Sequence, residues 1–158
     1  MIVLKFATEI KGECQEAGHE GWINVDSVQF GVGRSVTTTG GGGDRDTSNP
    51  SFSEVVFSRG SDKASPELFM QSIAGKSLGK AEVHFIQTGG VDKKQVYLTY
   101  EFEEAIVTNY SISSGGDRPS ESFSINFTKV SKQYDAWTGG KVTKGTPQKW
   151  DLIKGAKY

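Results

Sequence analysis

A period of two constrains this chain more than any other feature. In "SFSINFTKV", Phe123, Ile125 and Phe127 alternate with Ser124, Asn126 and Thr128. Successive side chains of an extended strand point to opposite faces, so this pattern describes a strand with one dry and one wet face. The pattern recurs. Ile2, Leu4 and Phe6 share one face of a first strand, with Val3, Lys5 and Ala7 on the other. Ala81, Val83 and Phe85 fall together, and so do Val96, Leu98, Tyr100 and Phe102, opposed by Tyr97, Thr99, Glu101 and Glu103. Half-polar strands of this kind predict antiparallel sheets that cover a core on one side.

One segment changes phase. Ile23 and Val25 are in register with each other, but Val28, Phe30 and Val32 are shifted by one. A bulge or sharp bend near Asp26 and Ser27 is expected, because an unbroken strand would turn its apolar face outward. With Val28, Phe30 and Val32 inward, Ser27, Gln29 and Gly31 point away from the core. Gly-rich or charged breaks at 89–94, 114–120 and 138–145 separate the later strands. One helix is signalled, in "DKASPELFMQSIAGK". Ser65 is placed to cap it, Pro66 suits the first helical position, and Glu67 complements the positive end of the dipole. Leu68, Phe69 and Ile73 form its apolar stripe and Gly75 its stop. The 158 residues thus predict a single domain of roughly eight strands with one short helix inserted midway, a compact barrel or sandwich.

The residue types that carry chemistry do not assemble. His19 and Glu20 begin like a zinc-protease motif, but position 23 is Ile23 where a second His is required, and Gly18 and Gly21 disfavour a helix. Cys14 is the one cysteine, so no intramolecular disulfide forms, and no His is placed to activate it. The Gly run in "TTTGGGGDRDTSN" lacks the Gly-Lys-Ser/Thr of a phosphate loop and reads as a long surface loop, of the length that compact domains keep for function. Glu101 and Glu103 share a strand face and Glu104 points to the other, which describes a solvated surface rather than a carboxylate pair. Tyr100 and Phe102 fall on the core face, and Trp22, Trp137 and Trp150 read as packing residues. A net charge of −1, from 18 basic and 19 acidic residues, gives no electrostatic reason to bind nucleic acid or an anionic membrane. Lys5 and Glu9 interrupt the first apolar run, so no secretory signal peptide is expected, and no run is long enough to span a bilayer. No catalytic, metal or cofactor set remains. Polar strand faces and Gly-rich loops are what an assembly needs.

Four stretches, in order, resemble one family: "IKGECQEAGHEGWINVDSVQFGV", "TTGGGGDRD", "SDKASPELFMQSIAGK" and "AIVTNYSISSGGDRPSESFSINFTKVSKQY". From about Lys11 to Trp150 the chain is similar to the haemolysin-coregulated proteins (Hcp), which form the inner tube of the bacterial type VI secretion system. The resemblance implies a mainly β fold, a compact β-barrel of two antiparallel sheets with one short α-helix packed alongside. It implies a non-enzymatic, cofactor-free subunit of a hexameric ring. Rings would stack into a tube inside a contractile sheath, be expelled with a spike protein, and carry effector proteins in the lumen. Such a protein assembles in the bacterial cytoplasm and is secreted without a signal peptide. Under this reading Ser27 and Gln29 line the channel, and Gly40, Gly41, Gly42, Gly43, Asp44 and Arg45 lie in a loop that reaches a neighbouring subunit. "GHEGWI" becomes the connection into a tube-building strand, with Ile23 facing the core. The tube protein of a phage tail or phage-tail-like particle is the alternative within the same architecture. A carbohydrate-binding β-domain using its aromatics is the alternative outside it.

Overall fold

The computed structural model describes residues 1–37, 45–89 and 94–158. The chain opens with β1 (Ile2–Phe6), β2 (Ile23–Val25), β3 (Ser27–Gln29), β4 (Val32–Gly33), β5 (Val36–Thr37) and β6 (Asp46–Thr47). It continues with β7 (Ser51–Phe52), β8 (Val55–Gly60), the helix α1 (Ser65–Ala74), β9 (Ala81–Thr88) and β10 (Lys94–Glu103). β11 (Ile106–Ser113), β12 (Ser120–Asn126), β13 (Lys129–Tyr134), β14 (Ala136–Thr138), β15 (Lys141–Thr143), β16 (Gln148–Asp151) and β17 (Ala156–Lys157) complete it. Two sheets dominate. One has seven strands in the order β17-β16-β13-β10-β9-β1-β2, the other four in the order β11-β12-β8-β3. Every pairing between these strands is antiparallel, as the half-polar alternation predicts. Strands outnumber the expected eight because several are two or three residues long, too short to show a period.

The two sheets share one core. Leu4, Phe6, Val83 and Phe102 come from the larger sheet, and Val55, Phe57, Phe123 and Ile125 from the smaller. Phe57 and Phe123 are cross-strand partners with ring centroids 5.0 Å apart. Each such side chain, fully buried, stabilises the fold by about 1.5–3 kcal/mol relative to exposure. The phase change after Val25 has a clear cause. β2 pairs with β1 in the seven-stranded sheet and β3 pairs with β8 in the four-stranded one. The chain crosses between sheets at Asp26, whose N–H donates to the carbonyl of Ser58. The core lies on opposite sides of the two sheets, so the apolar phase must invert there. Val28 and Phe30 pack against the core, but Val32 is 59% exposed and does not, contrary to expectation, because the chain leaves the sheet for the small β4–β7 ribbon.

Four further expectations need correction. Val96 does not share a face with Tyr100 and Phe102. A bulge lies between Val96 and Leu98, where Val96 opposes Ile86 and Leu98 opposes Phe85, so Tyr97 is the extra residue. Val96 therefore packs on the outside of the large sheet with Val3, Ile86, Cys14 and Trp22. The break at 138–145 contains most of the hairpin of β14 and β15. The helix spans Ser65–Ala74 and ends on the left-handed Gly75, as expected, but Ser65 is its first residue rather than its cap. Ala64 is the cap residue and has no capping side chain; the Asp62 carboxylate accepts from its N–H just ahead of the helix. Of the three stripe residues only Leu68 is buried. Phe69 and Ile73 are 50% and 66% exposed. The helix packs mainly against β11, where the Phe69 ring meets Tyr110 edge-on at 5.7 Å, and its first residue Ser65 donates to Glu121 on β12.

Candidate assembly surface

Ser27 and Gln29 are both exposed on β3, which forms one edge of the four-stranded sheet. Register extends them into rows across the outer face. Ser27 stands opposite Ser58, Ser58 opposite Ser122, and Ser122 opposite Ser111. The next row runs Gln29, Val56, Ser124, Asn109. The reason is again alternation. The inward phase of β12 carries Phe123 and Ile125, so the serines of "SESFSIN" must face outward. These two rows hold no charged side chain. The sheet also leaves two edges, β3 and β11, that no further strand among the described residues pairs. Sequence reasoning named only Ser27 and Gln29. The rest of the rows was legible in the Ser-x-Ser-x-Ser spacing of Ser120, Ser122 and Ser124, but which strands lie side by side was not.

Beneath this face lies a buried charge network that the sequence reading missed. Arg59 and Glu121 are both about 1% exposed. The Arg59 guanidinium donates to Glu121 Oε1 at 2.7 Å, to Asp62 Oδ2 at 2.5 Å and to the carbonyl of Asn24 at 3.1 Å. Glu121 also accepts from Ser65 Oγ at 2.9 Å, Ser61 Oγ at 3.3 Å and the Tyr110 hydroxyl at 2.5 Å. Burial pushes the Tyr110 phenol up to about 12, and its hydrogen bond to Glu121 adds to the rise. One carboxylate thus ties β8, β11, β12 and the start of α1 together. Asp62 and Ser65, which stand in the stretch that carried the family resemblance, belong to this network.

The histidines also come together. His19 Nε2 lies 2.9 Å from His84 Nδ1, although 65 residues separate them. Trp22 packs against both rings, at 4.8 and 4.7 Å. His19 Nδ1 is buried with no partner, and the single hydrogen bond between the two rings runs in the direction their tautomers set. Burial, with His19 as neighbour, lowers the His84 pKa to about 4. Among the described residues no group of three His, Cys, Asp or Glu side chains could hold a metal ion. Cys14 is buried beside this pair in the outer cluster. Glu101 pairs with Lys80 at 3.4 Å and Glu103 with Lys129 at 3.8 Å, on a partly exposed strand face. Trp22 is buried, Trp150 packs on the core, and the Trp137 indole donates to the carbonyl of Val96. Of the proposed loop residues, Gly40, Gly41, Gly42, Gly43 and Asp44 lie outside the described residues, and Arg45 is exposed. Among the described residues no helix is long and apolar enough to cross a membrane.

Comparison with known proteins agrees with this architecture. Residues 3–134 match the family described as type VI secretion system effector, Hcp. The chain is 28% identical over 99 residues to the Hcp1 protein of Pseudomonas aeruginosa, a match that covers 61% of this chain and 60% of that protein. The chain thus spans about 60% of the length of that curated relative. Among solved structures, a type six secretion system protein superposes with a TM-score of 0.90 at 25% identity, covering 99% of this chain and 98% of the other. Hcp1 of Salmonella typhimurium superposes with a TM-score of 0.77 at 24% identity, covering 99% and 97%. With a family match across most of its length and the same fold throughout, the chain belongs to the Hcp family of type VI secretion system proteins.

Proposed function

We propose that this chain is the structural subunit of the inner tube of a type VI secretion system. Its two sheets close into a barrel, and copies close into a hexameric ring in which β3 of one copy meets β11 of the next. Rings stack inside a contractile sheath, leave the cell with a spike protein and carry effectors in the lumen. The role is mechanical, not catalytic. The observation that carries the reading is the pair of uncharged rows of Ser, Gln, Val and Asn across the outer face of the four-stranded sheet, with Glu54 beside Thr108 beyond one row and Arg118 beside Gly60 beyond the other. A channel wall must stay wet without gripping what slides past it. Hydroxyls and amides hydrate readily, whereas charges would hold oppositely charged cargo over a Debye length of about 8 Å. The two unpaired edges of that same sheet support closure, because an open edge invites pairing and a ring satisfies every edge at once. Ser27 and Gln29 then line the channel, and the loop bearing Gly40 to Arg45 reaches a neighbouring subunit. The family match favours this role over a phage-tail tube. Phe102 is buried in the core and Tyr100 is partly buried against it.

Negative-stain microscopy and light scattering of the purified protein test the ring. Hexameric rings are expected without added cofactor, and a single-chain mass at all salt and protein concentrations overturns the proposal. The lining is tested by Gln29→Arg. An exposed substitution usually changes stability by no more than about 0.5 kcal/mol, so rings should persist. Co-purifying cargo should change, because the ring repeats the new charge around its channel. Intact rings with unchanged cargo would place Gln29 elsewhere.

A further inference from the structure

A cleft of about 420 Å³ opens between the sheets on the side away from the serine face. Its floor is one face of the seven-stranded sheet. Tyr100 stands opposite Lys132, Lys132 opposite Gln148, Val130 opposite Trp150, and Trp150 opposite Lys157, so all of these share that face. Its wall is Phe30, Val32 and Phe52, with the Phe30 ring 6.2 Å from Phe52 and 6.1 Å from Tyr100. The cleft is therefore largely apolar and aromatic, yet three lysines line it: Lys132 and Lys157 on this face of the floor, and Lys149 between Gln148 and Trp150. Lys132 lies 5.4 Å from the Tyr100 ring centroid. Neither Lys132 nor Lys157 makes an ion pair among the described residues, and no residue lining the cleft is acidic.

We infer that this cleft binds a small anionic amphiphile, an apolar tail ending in a carboxylate. The volume lies within the range of small-molecule sites, which combine an apolar lining with a few polar groups that fix orientation. The aromatic lining takes the tail, and Lys132 and Lys157 supply the charge complement that a neutral ligand leaves unused. A long lysine can bury its stem along the rings while its ammonium meets the carboxylate at the solvent boundary. The site is separate from the serine face and does not depend on the tube role.

The experiment uses the full chain as purified, with a dansylated undecanoate as fluorescent probe and dodecanoate and dodecanol as competitors. Saturable, one-to-one probe binding is expected, with dodecanoate displacing it at least about tenfold better than dodecanol. The Lys132→Glu/Lys157→Glu variant, altered only at exposed positions, should bind roughly tenfold or more weakly, the order expected for two partly exposed charge contacts. Val32→Trp, which fills the cleft from an exposed position, should also weaken the probe. Equal displacement by the alcohol, or unchanged affinity in the lysine variant, overturns the proposal. So does binding that vanishes as rings form, which would mean that a second copy covers the cleft.

Discussion

Removing the carboxylate of Glu121 should cost more than any surface change in this protein, and the structure says why. Glu121 accepts four hydrogen bonds, from Arg59, Ser65, Ser61 and Tyr110, at a position with no solvent to replace them. Glu121→Ala leaves Arg59 buried with Asp62 as its remaining ion-pair partner. Arg59 keeps that partner, so the cost lies in the buried donors of Arg59, Ser61, Ser65 and Tyr110 that lose their shared acceptor. Each is worth about 1–3 kcal/mol if left unsatisfied, and about 3–5 kcal/mol in all is expected. At this chain length each kcal/mol moves Tm by about 2–4 °C, so the loss is roughly 6–20 °C. Glu121→Gln keeps the shape but puts an amide donor against other donors, and about 2–3 kcal/mol is expected, near the value of a charged hydrogen bond. The diagnostic variant is Arg59→Met with Glu121→Leu. It removes both charges but leaves Asp62 without its ion-pair partner, so it is not neutral; the penalty for stranding Glu121, present in Arg59→Met alone, is nevertheless gone. The double variant should therefore be more stable than the sum of its single changes, by about 2 kcal/mol or more. Urea unfolding at one fixed protein concentration gives all four corners of the cycle. If Glu121→Ala lies within about 1 kcal/mol of the parent, or if the single changes simply add, the network is not what holds α1 and β11 to the small sheet.

Leu68→Ala should cost about 2–5 kcal/mol, as a fully buried side chain does, whereas Phe69→Ala, half-exposed on the same helix, should cost no more than about 1.5 kcal/mol. Equal losses in thermal unfolding would mean that the helix is seated on a different face. His84 makes stability depend on acid. Its folded pKa is lowered to about 4, below the unfolded 6.5, so the unfolded chain binds the proton first. Full stability is present above about pH 6.5 and is lost as pH falls through about 4, with Glu101 opposing the effect. The ring is partly exposed, so screening reduces the loss to about 1–2 kcal/mol. His84→Gln should flatten this segment of the stability–pH curve, and an unchanged slope would assign it to other groups.

Alternation alone determined that this chain builds antiparallel sheets, and it named most of the core. Leu4, Phe6, Phe123 and Ile125 follow from residues two apart, because each strand's wet and dry faces are written in its own side chains. The break after Val25 was legible for the same reason, but its nature was not. A phase inversion looks alike in sequence whether it marks a bulge or a crossing between sheets, and only the pairing of β3 with β8 decided it. Local periodicity failed where the burying partner is distant. Val96 keeps the phase of Tyr100 in the sequence, yet the bulge at Tyr97 turns it to a second cluster formed by Cys14 and Trp22. Phe69 and Ile73 complete an apolar stripe, yet the fold offers the helix a contact just wide enough for Leu68. Arg59 and Glu121, and likewise His19 and His84, are far apart in the chain and carry no local mark of their partners. Their meeting depends on strand order, which is settled by how two sheets close over one core.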